Sequence, residues 1–226
     1  LQRLDMKFGM VPRHSRYLTD RAGRIPLAEM EQLRAALRLF EKKFPVIVGG
    51  NHTVSIGSVK AFSEHFKNLS VLQLDAHSDL RQEYEGSRFN HACAMARTRE
   101  FAPIVQVGIR SMSADELPFV QKDRIFYAHE LYYNKNLYSK AIDKLTENVY
   151  LTIDLDVFDP SEMPSTGTPE PGGPDYYELL HFVRDVARTK NIVGFDVVEL
   201  CPSPSDRTSD FLAAKVIYQL LSYVFA

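Results

Sequence analysis

Val71-Leu72-Gln73-Leu74-Asp75-Ala76-His77-Ser78-Asp79-Leu80 decides the reading of the chain. A short apolar run ends in two carboxylates and an imidazole at alternate positions, Asp75, His77 and Asp79. In extended chain, alternate side chains point the same way, so this strand end would turn all three toward one spot. Two aspartates held so close repel, and one must stay protonated unless a cation lies between them.

Leu151-Thr152-Ile153-Asp154-Leu155-Asp156-Val157-Phe158-Asp159-Pro160 repeats the device. Continued alternation would put Asp154 and Asp156 on one face, with Ile153 and Leu155 on the other. Taken alone, such a pair reads as turn or helix-capping residues, and Asp159-Pro160 fits a turn. A second motif of the same kind in one fold shifts the reading toward metal binding. His52 follows Val46-Ile47-Val48-Gly49-Gly50-Asn51, a third apolar run with a polar end. His52, Asp75, His77, Asp79, Asp154 and Asp156 make six ligands, more than a single tetrahedral zinc uses. Two divalent ions would employ them, with some aspartates bridging. Four carboxylates offset two dications, a bridging hydroxide leaves the cluster at about −1, and a cationic substrate would balance it. Oxygen-rich ligation with two imidazoles favours Mn2+ over a thiolate-seeking metal.

The wider pattern places these motifs on an α/β fold. Strands are expected at 46–48, 71–74, 104–108, 125–127, 149–156 and 192–198. Val46–Val48 reads as a strand buried on both faces, as parallel strands are. Helices are expected at 26–43, 54–66, 92–100, 137–145, 175–187 and 208–226, with Ser113-Ala114-Asp115-Glu116 resembling a capping box. Residues 1–25 read as irregular. Strands alternating with helices imply a mostly parallel sheet with helices on both faces, three α/β/α layers in one domain over 1–226. Such sheets hold ligands at the carboxyl ends of their strands, where all these polar motifs fall.

With 226 residues the chain can bury a sizeable core. Its net charge of −2 gives no reason to expect nucleic acid or an anionic membrane as partner. No apolar stretch reaches transmembrane length. Cys93 and Cys201 are too few for a disulfide framework and read as small buried hydrophobes, which favours a cytoplasmic setting. His14, His65, His129 and His181 form no group and read as surface or capping residues. The chain opens at Leu1 with neither an initiator Met nor a secretory signal, so its natural start is expected upstream.

Gly49-Gly50-Asn51-His52, Asp75-Ala76-His77-Ser78-Asp79 and Asp154 through Pro160 resemble the three metal motifs of the ureohydrolase family, that of arginase and agmatinase. Thr166-Gly167-Thr168-Pro169-Glu170-Pro171-Gly172-Gly173 resembles the family's following loop, and Gly194-Phe195-Asp196-Val197-Val198-Glu199 its late strand. The segment Arg81 to Cys93 looks like the agmatinase branch. The resemblance implies two Mn2+ ions per subunit held by the six residues above, and hydrolysis of a small cationic guanidino substrate with release of urea. It implies that His91 moves a proton and contacts substrate, that Glu199 pairs with the guanidinium, and that the protein is a homo-oligomer. Asn51 stands where the family usually has an acid, and the family's first strand is not recognisable before residue 26. Agmatine is the expected substrate, giving putrescine and so a place in polyamine synthesis. Arginine, guanidinobutyrate or formiminoglutamate, or a catalytically silent protein, remain as alternatives. Asp196 is expected to support the ligands and Gly172-Gly173 to mark a turn.

Overall fold

A computed structural model describes residues 44–226. The expected irregular segment 1–25, the helix 26–43, His14 and the question of a first strand lie outside the described residues. Six strands form one sheet: β1 Val46–Val48, β2 Leu69–Leu74, β3 Ile104–Ile109, β4 Ile125–Tyr127, β5 Asn148–Asp154 and β6 Asn191–Val198. All neighbours pair in parallel, in the order β1-β6-β5-β2-β3-β4. Helices α1 Val54–His65, α2 Ala94–Thr98, α3 Ala128–Tyr133, α4 Asn136–Asp143, α5 Tyr176–Thr189 and α6 Thr208–Phe225 pack beside it. The three-layer α/β/α arrangement is the expected one.

Alternation along the strands builds two separate cores. Leu72 and Leu74 of β2 and Leu151 and Ile153 of β5 join residues of α4, α5 and α6, among them Ala141, Phe182, Val183 and Val216. Val71 and Tyr150 point to the other face and join Val54, Val59 and Phe62 of α1 and Met95 of α2. From β2 the chain passes to β3 and β4 on one side, and from β5 to β6 on the other. The crevice between the carboxyl ends of β2 and β5 is therefore a topological switch point, the usual ligand position in such sheets.

Several expectations need correction. β1 is not buried on both faces: among the described residues it pairs only with β6, and Val48 is 65% exposed. β5 stops at Asp154, and Leu155–Val157 is a tight 3-10 turn. The helix expected over 92–100 begins as a 3-10 turn at His91–Cys93, and its α-helical part is only Ala94–Thr98. The capping box expected at Ser113 is present, and the short helix it opens, Ala114–Phe119, is 3-10 with Pro118 inside it. Cys93 is buried, but Cys201 is exposed, since it follows β6 in the loop that leads to α6. Among the described residues, no helix is long and apolar enough to cross a membrane.

Candidate metal centre

The motif residues converge by turns rather than by alternation. Beyond Leu74 the chain leaves the sheet, and the Asp75 Oδ1 accepts the His77 N–H at 2.6 Å. Asp154 does the same two residues later, accepting the Asp156 N–H at 3.0 Å. An aspartate that receives the amide two residues on makes a compact turn and satisfies a donor the ladder no longer pairs. Asp79 takes a left-handed φ of 54°, which aspartate tolerates better than most residues. The expected shared face of an extended strand is thus wrong in mechanism, although the side chains still meet. The Asp156 Oδ1 accepts the Ala76 N–H at 3.1 Å and ties the two turns together.

Two clusters result, and Asp75 belongs to both. The His52 Nδ1 lies 3.0 Å from one Asp75 oxygen, 3.1 Å from Asp79 and 3.4 Å from Asp154. The His77 Nδ1 lies 2.9 Å from Asp156 and 3.7 Å from the other Asp75 oxygen. All six expected ligands are therefore brought together. The His52 Nδ1 is buried and makes no hydrogen bond, although three carboxylates surround it. An imidazole nitrogen enclosed by three carboxylates fits a cation, either a metal ion or a proton; without metal, burial opposes the imidazolium, but Asp154, Asp75 and Asp79 hold the His52 pKa well above the usual value.

The electrostatics without a cation are strained accordingly. Burial and the Asp75 charge push the Asp79 carboxyl up to about 7. Burial, then Asp156 and Asp75, raise Asp154, and burial and Asp75 raise Asp156. Burial would raise Asp75 as well, but the flanking imidazoles His52 and His77 outweigh it and hold this carboxyl below the usual range. Burial opposes the His77 imidazolium, yet Asp156 and Asp75 carry it up to about 11. Each histidine is serving as the counter-charge that a dication would otherwise provide.

Beneath the clusters a row of polar side chains crosses four adjacent strands at one level. Gln106 of β3 pairs with Gln73 of β2, Gln73 with Thr152 of β5, and Thr152 with Asp196 of β6. All four are buried. The Gln73 amide donates to Asp75 at 2.7 Å and to the His77 carbonyl at 3.0 Å. Gln106 donates to Gln73 at 2.6 Å and to the Ser78 carbonyl at 2.8 Å. The Thr152 hydroxyl donates to Asp196 and sits 2.9 Å from the His52 Nε2. With its proton given to Asp196, that hydroxyl accepts from Nε2–H, so Nδ1 is the nitrogen turned to the carboxylates. Asp196 also accepts from Tyr150 at 2.7 Å and Ser55 at 2.8 Å, which matches its expected supporting role. Of this row, sequence reading singled out only Asp196. The available signal was a polar residue set inside each largely apolar strand.

Other groups hold the turns. The buried Glu116 carboxylate accepts from the Ser78 hydroxyl and the Leu80 N–H on one oxygen, and from the Ser113 N–H on the other. Arg110 binds main-chain carbonyls of the third motif. Gly172 turns with φ 88°, and Gly173 is required by close approach, since a Cβ there would stand 2.4 Å from the Val157 oxygen.

Glu199 follows β6 with φ 64°, a left-handed conformation uncommon for its type. Its Oε1 accepts the His52 N–H at 2.7 Å, so it contacts the first motif directly. Burial raises its pKa. Asn51, the departure from the family pattern, accepts from the Thr53 N–H at 3.2 Å and from the Thr53 hydroxyl, and so shapes the start of α1. His91 is half-buried beside Tyr84, their rings 6.0 Å apart. Burial and then the His52 charge lower its pKa, so it is neutral near pH 7 and within electrostatic reach of the clusters. His65, His129 and His181 are exposed, as expected.

The sequence profile of the arginase family matches residues 10–222. The chain is 42% identical over 186 residues to an N(1)-aminopropylagmatine ureohydrolase of Synechocystis sp., covering 80% of this chain and 61% of that protein. It is 33% identical over 193 residues to an agmatinase of Pyrococcus horikoshii, covering 85% and 67%. The solved structure of proclavaminate amidino hydrolase from Streptomyces clavuligerus superposes with a TM-score of 0.80 at 28% identity, over 90% of this chain and 73% of that one. The chain thus spans less than two thirds of the Synechocystis relative it resembles.

Proposed function

Because the chain belongs to the arginase family, we propose that it hydrolyses the guanidinium group of a linear cationic substrate and releases urea. The observation that carries this is the pair of His/Asp clusters sharing Asp75, with the buried His52 Nδ1 enclosed by three carboxylates. His52, Asp75, Asp79 and Asp154 would hold one ion, and His77, Asp75 and Asp156 the other, with Mn2+ the best match to the donor set. Bound there, two divalent ions supply the Lewis-acid charge that makes water a nucleophile at neutral pH.

The chain's own residues set the rest. Four aspartates offset two dications, and Glu199 adds one negative charge that a guanidinium neutralises. With Oε1 engaged by His52, Glu199 offers its second oxygen to the substrate as a charge-assisted acceptor. His91, neutral, would take up the proton that the attacking water loses and pass it to the leaving amine. Agmatine is one substrate that fits. N(1)-aminopropylagmatine is the second, favoured because the relative bearing that name is 42% identical over 80% of the chain. The test is urea release with added Mn2+ from agmatine, N(1)-aminopropylagmatine, arginine and guanidinobutyrate. Turnover of either of the first two supports the reading, and release from none of the four contradicts it.

A further inference from the structure

We infer that Arg110 is a positioning residue for the cluster of His77, Asp75 and Asp156: it locks the third motif and the Glu170 loop onto the end of β3. The inference rests on the reading that these clusters hold cations.

Arg110 is first fixed by its own main chain. Its N–H and that of Ser111 both donate to the Ala76 carbonyl, at 2.8 and 2.9 Å, and Ser111 bridges His77. The backbone of Arg110 is therefore part of the second motif. Its side chain then reaches the third. Nη2 donates to the Asp156 carbonyl at 2.7 Å and to Phe158 at 3.2 Å, and Nη1 to Val157 at 3.2 Å and to Gly108 at 3.1 Å. Nε and Nη2 both reach the Glu170 carbonyl, at 3.2 and 2.8 Å. All six contacts end on main-chain carbonyls and none on a carboxylate; Nη2 has two N–H groups for three of them, so one is shared.

The chemistry explains why arginine stands here. The tight turn that starts at Leu155 leaves three successive carbonyls, those of Asp156, Val157 and Phe158, that no strand pairs, and buried carbonyls need donors. Guanidinium is the one side chain with five N–H donors in a fixed plane. A lysine offers three donors from a single point and cannot span these oxygens. Glu170, gripped by its carbonyl, brings its carboxylate to 4.0 Å from the His77 Nε2. Arg110 therefore sets both sides of the His77 cluster. The His52 cluster is held by other groups, namely Thr152, Asp196 and Glu199.

That division predicts an asymmetric defect. Mn2+ calorimetry on the wild type, Arg110→Lys and Arg110→Met should show the weaker-bound or second ion losing about 10–100-fold in affinity. The other ion should stay within about threefold. In the metal-free Arg110→Lys protein, amides of 155–159 should exchange with solvent at least about tenfold faster, while those of α1 are unchanged. Two unaltered ions, or two ions weakened alike, would overturn the inference, as would unchanged exchange at 155–159. Should Arg110→Met fail to fold, Arg110→Lys decides. A lysine variant that also fails to fold would make Arg110 a general folding residue and overturn the proposal. If the wild type itself binds fewer than two ions, the reading of the clusters falls, whatever the variants do.

Discussion

The two faces of the sheet are built from the same strands and do opposite things. Toward α4, α5 and α6 the strands turn Leu72, Leu74, Leu151, Ile153 and Val197, an unbroken apolar set. Toward α1 and α2 the same strands turn Val71 and Tyr150, and then, nearer their ends, Gln73, Thr152 and Asp196. Burying apolar surface is favourable whatever else is bound. Burying amides and carboxylates is tolerable only when every group has a partner. The first face therefore needs no counter-charge. The second is complete only when its carboxylates have a counter-charge, and imidazolium serves until a metal replaces it. Neighbouring residues on one strand can accordingly have unrelated jobs.

The sharpest way to break this contrast is at the residue both clusters share. Asp75→Asn keeps the shape but removes the charge that both His52 and His77 face. Urea-forming activity should fall by on the order of 1000-fold or more, with loss of both ions by elemental analysis. Retention of one ion at full affinity would show that the clusters are independent.

Adjacent residues on β5 separate the faces. Leu151→Ala opens a hole in the apolar face and should cost about 2–5 kcal/mol by denaturant unfolding, equally with and without Mn2+. Thr152→Val on the polar face should cost about 1–3 kcal/mol without metal, since it strips the buried His52 Nε2–H and an Asp196 oxygen of their partner. It should weaken Mn2+ binding about 10–100-fold by removing the acceptor that fixes the His52 tautomer. Reversal of the two outcomes would mean that the division of labour is drawn wrongly.

The smallest expected effect is a change of sign with pH. His77 binds its proton up to about 11 in the folded, metal-free protein, against 6.5 when unfolded. The native state therefore holds more protons between those values. This group's stabilisation is complete below about pH 6.5 and is lost as pH rises toward 11. Metal must displace that proton, so Mn2+ affinity should rise with pH, by up to about tenfold per unit for each proton released. Thermal unfolding from pH 6.5 to 9 should show midpoints falling without Mn2+ and falling less, or rising, with it. Parallel slopes would contradict the counter-charge argument.

Residues that carry chemistry in local clusters were legible in the sequence. Asp75, His77 and Asp79 crowd into five positions, and their repulsion is apparent without coordinates. The way they meet was not legible, because a turn closed by Asp75 onto the His77 amide differs from continued strand only in hydrogen bonding. Gln73 and Gln106 look like stray polar residues in apolar runs until register sets them side by side. Arg110 escapes for a related reason, and Glu116 is legible in its bond to Ser113 but not in its reach to Ser78 and Leu80. Both residues act on main-chain atoms of segments distant in sequence, and no residue pattern records a carbonyl that lacks a donor. Strand positions came through because long apolar runs are strong signals. Val48 was misread because burial depends on what stands beside a strand, and a three-residue run does not reveal whether it lies at an edge.

Titration of the metal-free protein with Mn2+, read by calorimetry and checked by elemental analysis, tests the central claim most directly. Two ions per chain, with protons released on binding, is the expected result. A single ion, or none, would contradict it.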